Sequence, residues 1–158
     1  MAEFATREIP GKKAYVANMP SRDTMPQMIL VAEDQAHIRH LIEYKLKNSG
    51  YAVTAVEDGS SALATALAIL PDLILLDIMM PLMTGFEVLV ALKADARTKK
   101  IPVLLVTAQS KEHEVLRGLE LGAEDYITKP FSPNELAARV KKALLTRGRL
   151  PADPAPGS

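Results

Sequence analysis

The sequence predicts an α/β fold, a five-stranded parallel sheet wound on both faces by five helices. Three observations predict it. Short apolar runs bounded by polar or turn residues recur along the chain, as strands buried on both faces require. Helix-like stretches with start and stop signals alternate strictly with them, which implies βα units and a parallel sheet. Polar residues also stand where the apolar runs end. Glu33 and Asp34 follow Met28-Ile29-Leu30-Val31-Ala32, Asp77 follows Leu73-Ile74-Leu75-Leu76, Thr107 follows Val103-Leu104-Leu105-Val106, and Lys129 follows Tyr126-Ile127-Thr128.

In chain order, the first strand is expected at about 27–32 and the first helix near 35–48, with Ile38, Leu41, Ile42 and Leu46 on one stripe and Asn48-Ser49-Gly50 as its stop. Asp34 is expected to cap this helix as well as serve the site. The second strand is about 51–56; Asp58-Gly59-Ser60 opens the second helix, which runs to Leu70 before Pro71. The third strand is 72–76 and the third helix about 84–93, after Pro81 and Gly85. Pro102 sits where a fourth strand begins, a position proline tolerates. Ser110 is placed to cap the fourth helix, which ends at Gly122. A fifth strand follows at about 123–127. Ser132, Pro133 and Glu135 make a strong start for the fifth helix, which runs to about Arg147.

A chain of 158 residues with 48% hydrophobic content supports one domain with room for tails. The domain is expected over 27–147, with a poorly ordered tail at 1–26 and a linker-like Leu-Pro-Ala-Asp-Pro-Ala-Pro-Gly-Ser end, so that 148–158 form a linker or tail. Lysine plus arginine equal aspartate plus glutamate at 19 each, so no net basic field drives nucleic-acid or membrane binding. Low aromatic content, 4% with no tryptophan, argues against base-stacking surfaces, and the basic residues show no recognition-helix pattern. The absence of cysteine fits a cytoplasmic setting, and no run approaches a membrane span or a signal-peptide apolar region.

In open α/β sheets, ligands bind outside the carboxyl ends of the strands. Four strand ends would therefore offer Glu33, Asp34, Asp77, Thr107 and Lys129 to one crevice. Three converging carboxylates repel unless a cation sits among them, and oxygen donors suit Mg²⁺, which uses one or two carboxylates plus waters and phosphate oxygens. A carboxylate beside a metal can act as a nucleophile. Asp77 is the best candidate, because it ends the third strand and lies between the other groups if the strand order is 2-1-3-4-5. A transferring phosphoryl group spreads charge over its oxygens, which Mg²⁺, Lys129 and Thr107 could each hold. Taken singly, these residues have plainer roles: a strand-end aspartate caps a loop, Thr107 caps a helix, and Lys129 is solvated. Co-location at four strand ends is what raises their weight. His37, His40 and His113 lie on polar helix faces without metal-ligand spacing, and Met79-Met80 line the loop after Asp77.

These motifs resemble the receiver domain of two-component response regulators, a CheY-like, flavodoxin-like α/β fold whose five-stranded sheet would run in the order 2-1-3-4-5. The resemblance covers about 27–147 and rests on Ile-Leu-Val-Ala-Glu33-Asp34, Leu-Ile-Leu-Leu-Asp77-Ile-Met-Met-Pro81, Gly85, Leu-Leu-Val-Thr107-Ala108 and Gly122-Ala-Glu-Asp-Tyr126-Ile-Thr-Lys129-Pro130-Phe131. It implies that Asp77 receives a phosphoryl group from a sensor histidine kinase. Glu33, Asp34, Asp77 and the Met79 carbonyl would ligate Mg²⁺, Lys129 would contact the phosphoryl group, and Lys129-Pro130 would be a cis peptide. Thr107 and Tyr126 would form the switch pair. The fourth helix, fifth strand and fifth helix would repack when Thr107 turns toward the phosphate.

The stretch from Arg117 to Lys141 is especially similar to OmpR/PhoB-type receivers, which dimerise through that face. By that resemblance, Asp125 with Arg139 and Glu120 with Lys141 would bridge protomers. Val115 departs from the pattern, standing where a basic residue often faces an acid at Glu135; Arg117 is a candidate substitute. The resemblance implies a signalling domain rather than a turnover enzyme; from charge balance and patterning, neither direct nucleic-acid contact nor a membrane site is expected. A haloacid-dehalogenase-type phosphatase would carry a second acid where Met79 stands. A flavodoxin-like mononucleotide binder would place a phosphate-cradling loop, not acids, after the first strand. A pseudo-receiver adaptor would lack part of the acid, hydroxyl and ammonium set that is complete here.

Overall fold

The computed structural model describes residues 25–108 and 112–149, with side chains to Thr146. The Ser110 cap and most of both expected tails lie outside the described residues. Five strands and five helices alternate as β1 (Met28–Ala32), α1 (Ala36–Asn48), β2 (Ala52–Val56), α2 (Gly59–Ile69), β3 (Leu73–Asp77), α3 (Gly85–Ala94), β4 (Val103–Ala108), α4 (Glu112–Glu120), β5 (Asp125–Lys129) and α5 (Pro133–Arg149). The sheet is parallel in the order β2-β1-β3-β4-β5, as the resemblance implies. The last helix continues through Arg149, into the stretch expected to be linker.

Successive strand residues face opposite sides of a sheet, so two cores form from alternating positions. Leu30, Ile74, Leu76 and Leu105 pack on one face against Ala62, Ala66, Val88, Leu89 and Leu92 of α2 and α3. Ile29, Val31, Leu75, Leu104 and Val106 pack on the other against Ile42 and Leu46 of α1 and Leu136 and Val140 of α5. Every residue of β3 is buried, because this strand is central and covered on both faces.

Local chemistry sets several helix ends. The Asp58 carboxylate accepts from the Ser61 backbone N–H at 2.7 Å and caps α2. Ser132 Oγ accepts from the Glu135 backbone N–H at 3.0 Å, as expected for α5. A full capping box that the sequence reading missed, Thr84 with Glu87, starts α3. Gly50 and Gly122 take left-handed φ values of 99° and 110° just beyond α1 and α4, which is the glycine exit a helix favours.

Three expectations need correction. Leu41 is 43% exposed, because the stripe that meets the sheet runs through Ile38, Ile42 and Leu46 and Leu41 lies about 100° away from Ile42 around the helix. The α1 N-cap is Gln35, not Asp34, and it makes no side-chain cap bond. The fifth strand begins at Asp125 rather than near 123. The Gly122 and Ala123 N–H groups first close α4 onto the Leu119 and Gly118 carbonyls, and sheet pairing starts with Asp125 opposite Leu104. Lys129 thereby becomes the last strand residue, beside Ala108 at the carboxyl edge.

Candidate functional site

The carboxyl ends of β1 and β3, with Lys129 from β5, build an acidic site. The Glu33 N–H donates to the Val56 carbonyl at 3.1 Å, extending the β1–β2 ladder by one residue before the chain turns. The turn is held by the Gln35 N–H, which donates to Glu33 Oε2 at 3.1 Å, and by the Arg39 guanidinium, which donates to the Glu33 carbonyl at 2.9 Å and the Asp34 carbonyl at 3.4 Å. Glu33 is left 1% exposed, while Asp34 faces solvent.

Asp77 ends β3 at 4% exposure. Its Oδ1 accepts from the Met79 backbone N–H at 3.2 Å, and its Oδ2 lies 3.2 Å from Lys129 Nζ. That ammonium also lies 3.0 Å from Glu33 Oε1, so one cation serves two buried carboxylates. Glu33, Asp34 and Asp77 each offer an oxygen within 4.8 Å of the others, the one such metal-capable group among the described residues. Gly85 makes room for this strand end: a Cβ there would stand 2.5 Å from the Asp77 carbonyl oxygen and 2.8 Å from Ile78 Cα. Both neighbours are backbone and cannot swing aside. Gly85→Ala is therefore expected to lower stability by about 1–3 kcal/mol in urea unfolding and to displace Asp77.

The electrostatics are unbalanced. Burial pushes the Asp77 carboxyl up to about 7, Glu33 adds repulsion, and Lys129 only partly offsets them. Burial also works against the Lys129 ammonium, but Asp77 and Glu33 outweigh it and hold its pKa above the usual lysine value. Glu33 Oε1 is buried and has no hydrogen-bond partner; Lys129 faces it at ion-pair distance without hydrogen-bond alignment. An orphaned carboxylate oxygen beside two further acids fits a hard, oxygen-seeking cation.

The other expected site residues are placed differently. Thr107 is buried at the end of β4, but its hydroxyl donates to Glu114 Oε1 on α4 at 3.2 Å. Tyr126 is half-buried, with the Arg139 guanidinium 5.8 Å above its ring. Met79 is 67% exposed and Met80 is buried. His37, His40 and His113 are exposed. The Lys129-Pro130 peptide is cis. Arg139 bonds Asp125 at 2.9 Å and Glu135 at 3.3 Å within one chain, and the Arg117 guanidinium lies 5.1 Å over the Phe86 ring. Glu120 and Lys141 are exposed. The sequence reading missed Arg39, Gln35 and Glu114. Their contacts join residues on different turns and elements, and no local pattern marks them.

A doubly wound parallel sheet with three acids and an ammonium at its carboxyl edge defines a flavodoxin-like domain with a cation-ready site. The chain belongs to the response regulator receiver domain family, whose pattern matches residues 29–141. It is 46% identical over 120 residues to the phosphate regulon transcriptional regulatory protein PhoB of Klebsiella pneumoniae, covering 76% of this chain and 52% of PhoB. It is 40% identical over 131 residues to the DNA-binding response regulator MtrA of Mycobacterium tuberculosis, covering 83% of this chain and 56% of MtrA. Among solved structures, a putative response regulator from Chloroflexus aurantiacus superposes with a TM-score of 0.74 at 33% identity, covering 76% of this chain and 98% of that one.

The chain is thus a receiver domain of the two-component response regulators, similar to the PhoB type. It spans about half the length of the curated relatives it matches. The expectation of no nucleic-acid contact finds no support in these relatives, since MtrA is named for DNA binding. No described helix is long and apolar enough to cross a membrane.

Proposed function

We propose that residues 27–147 act as a phosphorylation-controlled switch in the cytoplasm, with Asp77 as the acceptor of a phosphoryl group from a sensor histidine kinase or a small acyl phosphate. The observation that carries this is the convergence of Glu33, Asp34 and Asp77 within 4.8 Å, with Lys129 Nζ 3.2 Å from the acceptor carboxylate. An Asp77 oxygen attacks phosphorus and forms the P–O bond. The P–N bond to the donor imidazole breaks and the leaving nitrogen keeps the electron pair; from an acyl phosphate the P–O bond breaks instead and the pair leaves on the carboxylate oxygen. Lys129 neutralises charge on one phosphoryl oxygen and the Met79 N–H fixes the acceptor carboxylate.

Glu33, Asp34, Asp77 and the Met79 carbonyl would hold Mg²⁺, which when bound supplies the positive charge this acid cluster lacks. Phosphorylation then gives the Thr107 hydroxyl a new acceptor, and Tyr126 and the α4–β5–α5 face follow. Asp125 and Arg139, paired within one chain, would exchange for partners across a homodimer, with Glu120 and Lys141 alongside. This is stoichiometric self-modification, not turnover of a substrate. The complete acid, ammonium and hydroxyl set speaks against a pseudo-receiver, and Met79 in place of a second acid speaks against a dehalogenase-type phosphatase.

The test is intact mass after incubation with acetyl phosphate and Mg²⁺, with and without EDTA. A Mg²⁺-dependent gain of one phosphoryl group supports the proposal; no gain from either acetyl phosphate or a phosphorylated histidine kinase refutes it. The phosphoryl lifetime is a second expected outcome. The Met79 side chain is exposed beside Asp77 and offers no polar group to orient an attacking water. Self-hydrolysis is therefore slow in the wild type and several-fold faster in Met79→Asn, read by the decay of the phosphorylated mass. An unchanged decay rate would count against the assignment.

A further inference from the structure

Thr107 carries one hydroxyl, and one hydroxyl has one proton to donate. In this structure that proton goes to Glu114 Oε1 at 3.2 Å, with the Ala108 carbonyl at 3.4 Å the other acceptor in reach. Thr107 is 1% exposed, so water does not readily take the place of either. Glu114 lies in the first turn of α4, a helix with a light hold on the domain. Gly118 is its one buried residue, and Leu116 and Leu119 are exposed. Among the described residues, Gly118 packs against Leu105, the Arg117 guanidinium lies over Phe86, and Glu114 accepts from Thr107. Only the last joins α4 to a residue of the proposed phosphoryl site. An element with little buried surface moves at low cost, so one charge-assisted hydrogen bond weighs heavily in where it sits.

We propose that Glu114 is a positioning residue that latches the unphosphorylated state, its carboxylate competing with the phosphoryl oxygens for the single Thr107 proton. The role rests on Asp77 accepting a phosphoryl group, as proposed above. Donation to Glu114 and to the phosphoryl group exclude each other. Capture of Thr107 by the phosphoryl group releases Glu114, and α4 loses its tether to β4 in the same event. By linkage, a bond made only in the resting state weakens the binding of anything that requires the other state.

The probe is the beryllium trifluoride anion with Mg²⁺, a phosphoryl mimic, titrated into the folded protein by calorimetry or fluorine NMR. Glu114→Ala is expected to bind it about fivefold to tenfold more tightly than the wild type, the scale of one hydrogen bond to a charged group. Glu114→Gln keeps an uncharged acceptor and is expected to fall between the two; being isosteric, it keeps the test open if the alanine variant unfolds. Glu112→Ala removes the same charge from the same helical turn and is expected to change nothing. In a Thr107→Ala background the Glu114→Ala effect is expected to vanish, which simple loosening of α4 would not produce. Unchanged affinity in both Glu114 variants overturns the latch, as does an equal gain in Glu112→Ala or a gain that persists without the Thr107 hydroxyl. A wild type that binds no beryllium trifluoride sinks the phosphoryl-acceptor role of Asp77 and the latch with it, whereas a wild type that binds while the variants match it sinks the latch alone.

Discussion

Asp77→Asn is expected to gain no phosphoryl group from acetyl phosphate or a histidine kinase under conditions in which the wild type is fully modified. The amide oxygen is a poor nucleophile, and the neighbouring acids Glu33 and Asp34 do not end a central strand as Asp77 does. The same substitution is expected to change the pH dependence of stability. The folded carboxyl titrates at about 7, well above an unfolded aspartate near 4. Between those values the folded state holds a proton that the unfolded state has released, so stability falls as pH rises from about 4 through about 7. An asparagine removes that loss, which is on the order of 2–4 kcal/mol at pH 8 in the absence of metal. Part of the gain is given back through the lost Lys129 ion pair. Denaturant unfolding at pH 5 and pH 8 separates the two proteins. Parallel pH dependences would show that Asp77 is not the strained group, and a phosphoryl gain in the variant would place the acceptor elsewhere.

Lys129→Ala is expected to have the second largest effect, because its ammonium does two jobs. In the unmodified protein it lies 3.0 Å from Glu33 and 3.2 Å from Asp77, which are 1% and 4% exposed. Removing it leaves two buried carboxylates without their cation and raises the Asp77 pKa further, since the Lys129 charge lowers it and only the Met79 N–H bond remains to do so. Breaking a buried pair costs roughly 3–5 kcal/mol; the Lys129 side chain is 21% exposed, so about half of that is expected. In the phosphorylated protein its absence removes one of the groups that hold the phosphoryl oxygens. Phosphorylation by acetyl phosphate should slow on the order of a hundredfold, the usual scale for losing one charge-stabilising donor. The modified fraction should fail to switch, measured as the change in amide exchange of α4 and β5 on phosphorylation. Activation at the wild-type level would refute the role given to Lys129.

Both outcomes follow from residues whose place was legible in the chain. Glu33, Asp34, Asp77, Thr107 and Lys129 each stand at the end of an apolar run, and a parallel sheet brings strand ends to one edge whatever its helices do. Legibility failed where position depends on what faces a residue across space. Leu41 fits the apolar stripe of α1 by composition and is nonetheless exposed, because helix packing selects a narrower face than hydropathy does. Asp34 is a good cap residue by type, but the chain turns one residue later and leaves it facing solvent beside the other acids.

The strand and helix segments, the acid set and the helix caps at Asp58 and Ser132 were determined by the sequence itself, because apolar runs and side-chain-to-backbone bonds act over a few residues. Tertiary structure alone decided three other matters. It set the charge balance, in which one ammonium serves two buried carboxylates and Asp77 titrates near 7. It paired Arg139 with Asp125 inside the chain and clamped the β1–α1 turn with Arg39. It also turned the Thr107 hydroxyl to Glu114, seven residues on and in a different element. Each of these depends on distances between groups from separate elements, and a Coulomb or hydrogen-bond energy is defined only once those distances exist.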